Sequence, residues 1–325
     1  MKLLRTVSLA AMLAAIAVFA ASAAQAQDRV TLKSATAGTS YYVMTVQLGE
    51  ALKAASNGKL APTVEESQGS VQNVKEAPRR SGNFIFTSPP SLVKAAQAGK
   101  KPFEGETGYD EIRTLFIMPP ITMHFVVRAD SGINGIADLN GKTFISGGHG
   151  TFTQRQTNAL LKLFDLEGKV KIADVELSAA NDAVRNKRVD GYASGSSHPV
   201  SLIQELASTT PIKLLSLTDE QLNKVLAADP GAGKVTIAPN TYQGQKDAVQ
   251  TFGLPVGAYT TTKMDNDTAY QIVKIFWTQR SEMAKANPWW GSLTPDQVMA
   301  LGIKLHPGAA KFYAEQGVKI PDAMK

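Results

Sequence analysis

Five clusters of Gly, Ser and Thr recur along the chain where a short β-branched or aromatic run gives way to a helical period. They are Ser34-Ala35-Thr36-Ala37-Gly38-Thr39-Ser40, Ser67-Gln68-Gly69-Ser70, Thr87-Ser88, Ser146-Gly147-Gly148-His149-Gly150-Thr151 and Ser194-Gly195-Ser196-Ser197. Strand, small polar cluster, helix is the repeating unit of an α/β fold. In open α/β sheets, ligands bind beyond the carboxyl ends of the strands. Helix N-termini there present unpaired N–H groups and the positive end of the dipole. Hydroxyls add donors, and Gly lets the backbone come close to a ligand. Taken singly, each cluster is a loop with an N-cap. Five facing one cleft would be a binding site, but their convergence is not written in the sequence.

The rest of the pattern agrees with that unit. Strands are expected at Val30–Lys33, Phe84–Thr87, Leu115–Met118, His124–Arg128, Val189–Ala193, Lys213–Leu215 and Pro255–Tyr259. Pro119-Pro120 is expected to end the third of these. Met44, Leu48, Ala51, Leu52 and Ala55 fall at helical spacing, as do Ile272, Ile275, Phe276 and Met283. A further helix is expected near Thr151, and a last one over Ala309 to Glu315.

The first 26 residues read as a secretory signal peptide. Lys2 and Arg5 precede an uncharged apolar run from Leu9 to Ala24, and Ala24-Gln25-Ala26 is a small-residue cleavage signature. The run is shorter than the roughly 20 residues that span a bilayer. The formal net charge is +6, of which Lys2 and Arg5 supply two. The remaining cations are scattered rather than gathered in a stripe with aromatics, which argues against nucleic acid and fits attraction of anionic solutes. Cysteine is absent, so disulfides, thiolate metal sites and a lipidated Cys are excluded. The product is expected to be soluble and periplasmic.

No catalytic constellation stands out. The four histidines, His124, His149, His198 and His306, show no paired metal-ligand spacing. Gly191-Tyr192-Ala193-Ser194-Gly195 has Ala where a nucleophile elbow needs Ser. Gly147 to Thr151 lacks the Lys of a phosphate-binding loop. His124 reads as a hydrogen-bonded strand residue and His306, before Pro307, as a turn or cap. His149 reads equally as ligand contact or loop scaffold. Arg155 is either a surface residue or, in a cleft, a bidentate clamp on a carboxylate.

The clusters and their order resemble the TAXI family, the extracytoplasmic solute receptors of one branch of the TRAP transporters. The match runs from about Leu32 to Gly317. It rests on Thr36 to Tyr42, a Gly/Thr/Ser turn with a tyrosine pair, and on Gly69-Ser70-Val71-Gln72-Asn73-Val74. It continues in Val126 to Gly132, Asp138 to Lys142, Gly148 to Thr151, Tyr242-Gln243-Gly244-Gln245, Gly253-Leu254-Pro255 and Leu305 to Tyr313. Ser40, Val43, Ser88, His149 and Phe152 depart from the pattern, all in loops expected to touch solute.

The resemblance implies a two-lobed type II periplasmic-binding-protein fold, each lobe a mixed sheet flanked by helices. Residues 27–122 and 254–325 would form a discontinuous first lobe, and residues 123–253 the second. A small organic anion, a carboxylate or dicarboxylate such as glutamate, would lie in the cleft and pass to TRAP membrane permease subunits. Thr36, Thr39, Ser40, Tyr41, Gly69, Ser70 and Ser88 would serve the first lobe. His149, Gly150, Thr151 and Arg155, with Ser194 and Ser196, would serve the second. No cofactor, metal or nucleic acid is expected, and the receptor is expected to be a monomer and not an enzyme. The rival readings are a receptor for an ABC importer or sensor kinase, and a periplasmic serine hydrolase using His149 or His198.

Overall fold

A computed structural model describes residues 27–325; the leader expected over residues 1–26 lies outside the described residues. The elements in chain order are β1 (Asp28–Lys33), α1 (Ser40–Ala55), β2 (Leu60–Glu65), α2 (Ser70–Glu76), β3 (Asn83–Ser88), α3 (Pro90–Gln97) and β4 (Ile112–Arg128). Then come β5 (Thr143–Ile145), α4 (Phe152–Leu163), β6 (Lys171–Ile172), α5 (Ala180–Arg185), β7 (Gly191–Ser196), α6 (Ser201–Thr209) and β8 (Ile212–Leu214). The chain finishes with α7 (Asp219–Ala228), β9 (Gly233–Ile237), β10 (Val249–Thr261), α8 (Asn266–Ala286) and α9 (Pro307–Glu315). Short 3-10 turns join several of these.

The strands form one hydrogen-bonded series in the order β2-β1-β3-β10-β4-β7-β5-β6, with β9 beside β10 and β8 beside β4. Parallel strands make the two wings: β2, β1 and β3 on one side, β7, β5 and β6 on the other. The long antiparallel pair β4 and β10 joins them. Among the 17 residues of β4 only Pro120 is exposed, as befits strands covered on both faces. On α1, Tyr41, Met44, Leu48 and Leu52 are buried at a helical period. The helix α8 is capped by the Asp265 carboxylate, which accepts from the N–H groups of Asp267 and Thr268 at 2.9 Å. Its Phe276 ring lies 3.9 Å from that of Phe116, closing the core over β4. Among the described residues no helix is long and apolar enough to cross a membrane.

Two expectations need correction. Pro119-Pro120 does not end a strand; β4 continues from Ile112 to Arg128. The register explains this, because β10 pairs Leu254 with Ile121 and Val256 with Met118, leaving the two prolines opposite a bulge at Pro255. A bulge asks for no donor where Pro has none to give. Likewise Ser194-Gly195-Ser196 is not a loop that starts a helix. It is the end of β7, and α6 begins only at Ser201.

Candidate functional site

All five clusters meet at one cavity. Ser34, Thr36 and Thr39 reach it from the β1–α1 turn, Gln68, Gly69 and Ser70 from the start of α2, and Thr87 from the end of β3. Gly147 and Thr151 approach from the far side, at the start of α4, and Gly195 from β7. Tyr41, Ile121, Phe152, Leu177 and Val256 supply apolar surface. The open volume is about 60 Å³.

The local geometry follows from the residue types. Thr39 caps α1, its hydroxyl accepting from the Tyr42 N–H at 3.4 Å and donating to the Thr36 carbonyl at 2.7 Å. Thr151 caps α4 in the same way, accepting from the Gln154 N–H at 3.0 Å and donating to the Gly147 carbonyl at 2.9 Å. The hydroxyls thus hold the turns; the first N–H groups of α4 remain for a ligand, whereas that of Ser40 at the start of α1 is taken by Ser196 Oγ. Gly147 has φ +114, and a Cβ there would lie 2.3 Å from a methyl carbon of Thr153. Only Gly fits such a turn. A Cβ on Gly195 would lie 2.8 Å from Thr153 Oγ1, the atom that accepts the Gly195 N–H at 3.2 Å. Beneath the cavity, the fully buried Asn73 amide donates to the Ser34 and Thr87 carbonyls at 2.9 and 3.2 Å, tying β1 to β3. Glu176 is the one charged side chain among the described residues lining the cavity, and no cation lines it.

Of the residues expected to bind solute, Thr36, Thr39, Tyr41, Gly69, Ser70 and Thr151 line this cavity. The others stand elsewhere. Ser40 is buried; its hydroxyl donates to the Ser197 carbonyl and its N–H donates to Ser196 Oγ at 3.0 Å. Ser88 is fully buried and donates to the Pro89 carbonyl at 3.1 Å. Ser194 and Ser196 are fully buried too. Parity accounts for Ser88, Ser194 and Ser196, because strand neighbours face opposite ways: β3 shows the cavity Thr87, and β7 shows it Gly195. His149 and Gly150 are exposed on the loop. Arg155 faces a separate groove, with its guanidinium 3.5 Å from the Lys101 carbonyl. Glu176 and Thr153 were missed by sequence reasoning. Thr153 carried a signal, lying two residues past a cap on a first helical turn; Glu176 carried none.

Behind β7 lies a closed polar network. His124 is buried, with Nδ1 3.0 Å from the Thr122 carbonyl and 3.2 Å from that of Ser194. That arrangement puts the proton on Nδ1, so Nε2 accepts from the Tyr242 hydroxyl at 2.9 Å. The Tyr242 oxygen in turn accepts the Val200 N–H at 3.0 Å. Burial, with His198 close by, holds His124 down to about 3, so it stays neutral. Burial also lowers His198, whose Nδ1 is 2.9 Å from Thr122 Oγ1. His306 caps α9, its Nδ1 accepting the Gly308 N–H at 3.2 Å.

Known structures share this architecture. MatC from Rhodopseudomonas palustris with bound malate superposes with a TM-score of 0.58 at 12% identity, covering 89% of this chain and 97% of that one. The periplasmic binding protein BugD gives a TM-score of 0.54 at 14% identity, covering 90% of this chain and 99% of that one. At such identities the likeness is one of fold, the two-lobed fold of periplasmic binding proteins. The sequence itself matches the model of the NMT1-like family over residues 32–317. The chain belongs to the NMT1-like family.

Proposed function

We propose that this protein is an extracytoplasmic receptor that captures a small amino-bearing organic acid, such as glutamate, in the cavity between its lobes. The observation that carries this reading is the meeting of five Gly/Ser/Thr clusters at one small cavity. The N-terminus of α4 suits a carboxylate through its N–H groups and dipole, and that of α1 adds its dipole. Glu176 opposes a second unpaired carboxylate and suits an ammonium group, which favours an amino acid over a simple dicarboxylate. Affinity then needs no chemistry on the solute. It comes from charge-assisted hydrogen bonds in a cleft that sheds water on closing.

The lobes would comprise residues 27–122 with 254–325, and residues 123–253. The break in β4–β10 register between Leu254 and Val256 supports crossovers there. Closure would then be a hinge motion about those two strands. Residues 1–26 would direct export to the periplasm, and the closed receptor would deliver its solute to a TRAP permease, as in the TAXI branch. A permease gene of that type beside this one supports the partner; an ATPase gene in its place overturns it.

A thermal-shift screen of residues 27–325 against amino acids, keto acids and dicarboxylates tests the ligand class. A solute at 100 times its Kd stabilises by about 2.7 kcal/mol. Glutamate is expected to shift the melting point more than succinate, and Glu176→Gln is expected to narrow that gap. A larger shift with succinate, or a gap unchanged in Glu176→Gln, overturns the amino-acid reading.

A further inference from the structure

A second groove, of about 280 Å³, lies on the other side of Phe152, which lines both spaces. Its floor and walls are Leu92 and Ala95 of α3, Ala159 and Leu160 of α4, Val225 of α7 and Phe252 of β10. Leu92, Leu160, Val225 and Phe252 are buried in the core and present apolar surface to the groove. Two charged groups stand on it, Arg155 and Asp229. They are not equally engaged. Asp229 accepts from the Gly231 N–H at 3.0 Å and from Gln156 Nε2 at 3.4 Å. Arg155 has only the long bond to the Lys101 carbonyl, and no carboxylate lies within 4.0 Å of it among the described residues.

We propose that this groove is a second binding site, for a medium-chain monocarboxylate. The carboxylate pairs with the Arg155 guanidinium, which has donors to spare. The alkyl chain covers the apolar floor, where each methylene removed from water adds to affinity. A second carboxylate at the other end of the chain would lie on the apolar floor without a cation, so the site takes monoacids and rejects diacids of equal length. The groove is several times larger than the first cavity and has a cation where that cavity has none. Its ligand is therefore longer and more apolar.

Calorimetric titration of residues 27–325 with butyrate, hexanoate, octanoate and suberate tests the site. Affinity is expected to rise about fourfold per added methylene from butyrate to octanoate. Suberate is expected to bind at least tenfold more weakly than octanoate. Arg155→Gln is expected to lower octanoate affinity about tenfold, and Ala159→Phe, on an exposed position, to abolish it by filling the groove. Both variants should melt as the parent does and keep any glutamate binding. Octanoate no tighter than butyrate, or undiminished in both variants, overturns the proposal. The titration does not depend on the first cavity, so loss of one reading leaves the other standing.

Discussion

Thr87 and Ser88 are adjacent, and only one of them faces the cavity. The same holds at β7, where Gly195 faces it between the buried Ser194 and Ser196. Both clusters stand out in composition, but composition could not say which parity points inward, because a shift of one residue exchanges the two faces of a strand. Helix caps were easier to read. Thr39 and Thr151 each precede a helical period, and each accepts the expected backbone N–H. Glu176 precedes a single 3-10 turn and reaches the cavity only through tertiary placement.

The buried His124 has a consequence at the same scale. Its value in the folded chain is lowered from 6.5 to about 3, so the unfolded chain takes up a proton first as the pH falls. Its contribution to stability is therefore complete above about pH 6.5 and is lost progressively below it. At pH 5 the loss is on the order of 2 kcal/mol. Melting curves at pH 7.5 and pH 5 should show this drop, and His124→Gln should reduce it. An equal drop in parent and variant would assign the acid sensitivity to other groups.

At the scale of elements, hydrophobic and helical periods foretold most strands and helices near the cavity, while the boundaries went astray where proline was read as a terminator. The β4–β10 pair shows why. Two prolines on one strand face a bulge at a third on the other, a compensation visible only once the strands are paired. The start of α1 is likewise fastened by a distant element. Ser40 bonds to Ser196, to the Ser197 carbonyl and to the Pro199 carbonyl at 3.3 Å, and the Leu202 N–H donates to the Gly38 carbonyl at 3.3 Å. The Tyr41 hydroxyl donates to the Pro119 carbonyl, and burial holds it protonated. Ser40 therefore joins α1 to the segment between β7 and α6. Ser40→Ala leaves buried carbonyls short of a donor and should cost about 1–3 kcal/mol in urea unfolding. A loss within error of zero would show that these bonds are replaced by others.

At the scale of the whole molecule, two parallel wings joined by a long antiparallel pair bring strand ends and helix starts to a common centre. Segments separated by well over a hundred residues, such as those of Thr36 and Gly195, become neighbours there. Each loop alone is an ordinary cap or turn; their meeting gives the cavity its donors and is the reason for reading the protein as a receptor. The measurement that tests this most directly is a calorimetric titration of residues 27–325 with glutamate, in the parent and in Ser70→Tyr. Ser70 is half-buried at the start of α2 and lines the cavity, so a tyrosine there should fill it and leave the fold's stability within about 0.5 kcal/mol of the parent. One-to-one binding by the parent that vanishes in Ser70→Tyr is the expected result. Equal binding by both proteins would contradict the account.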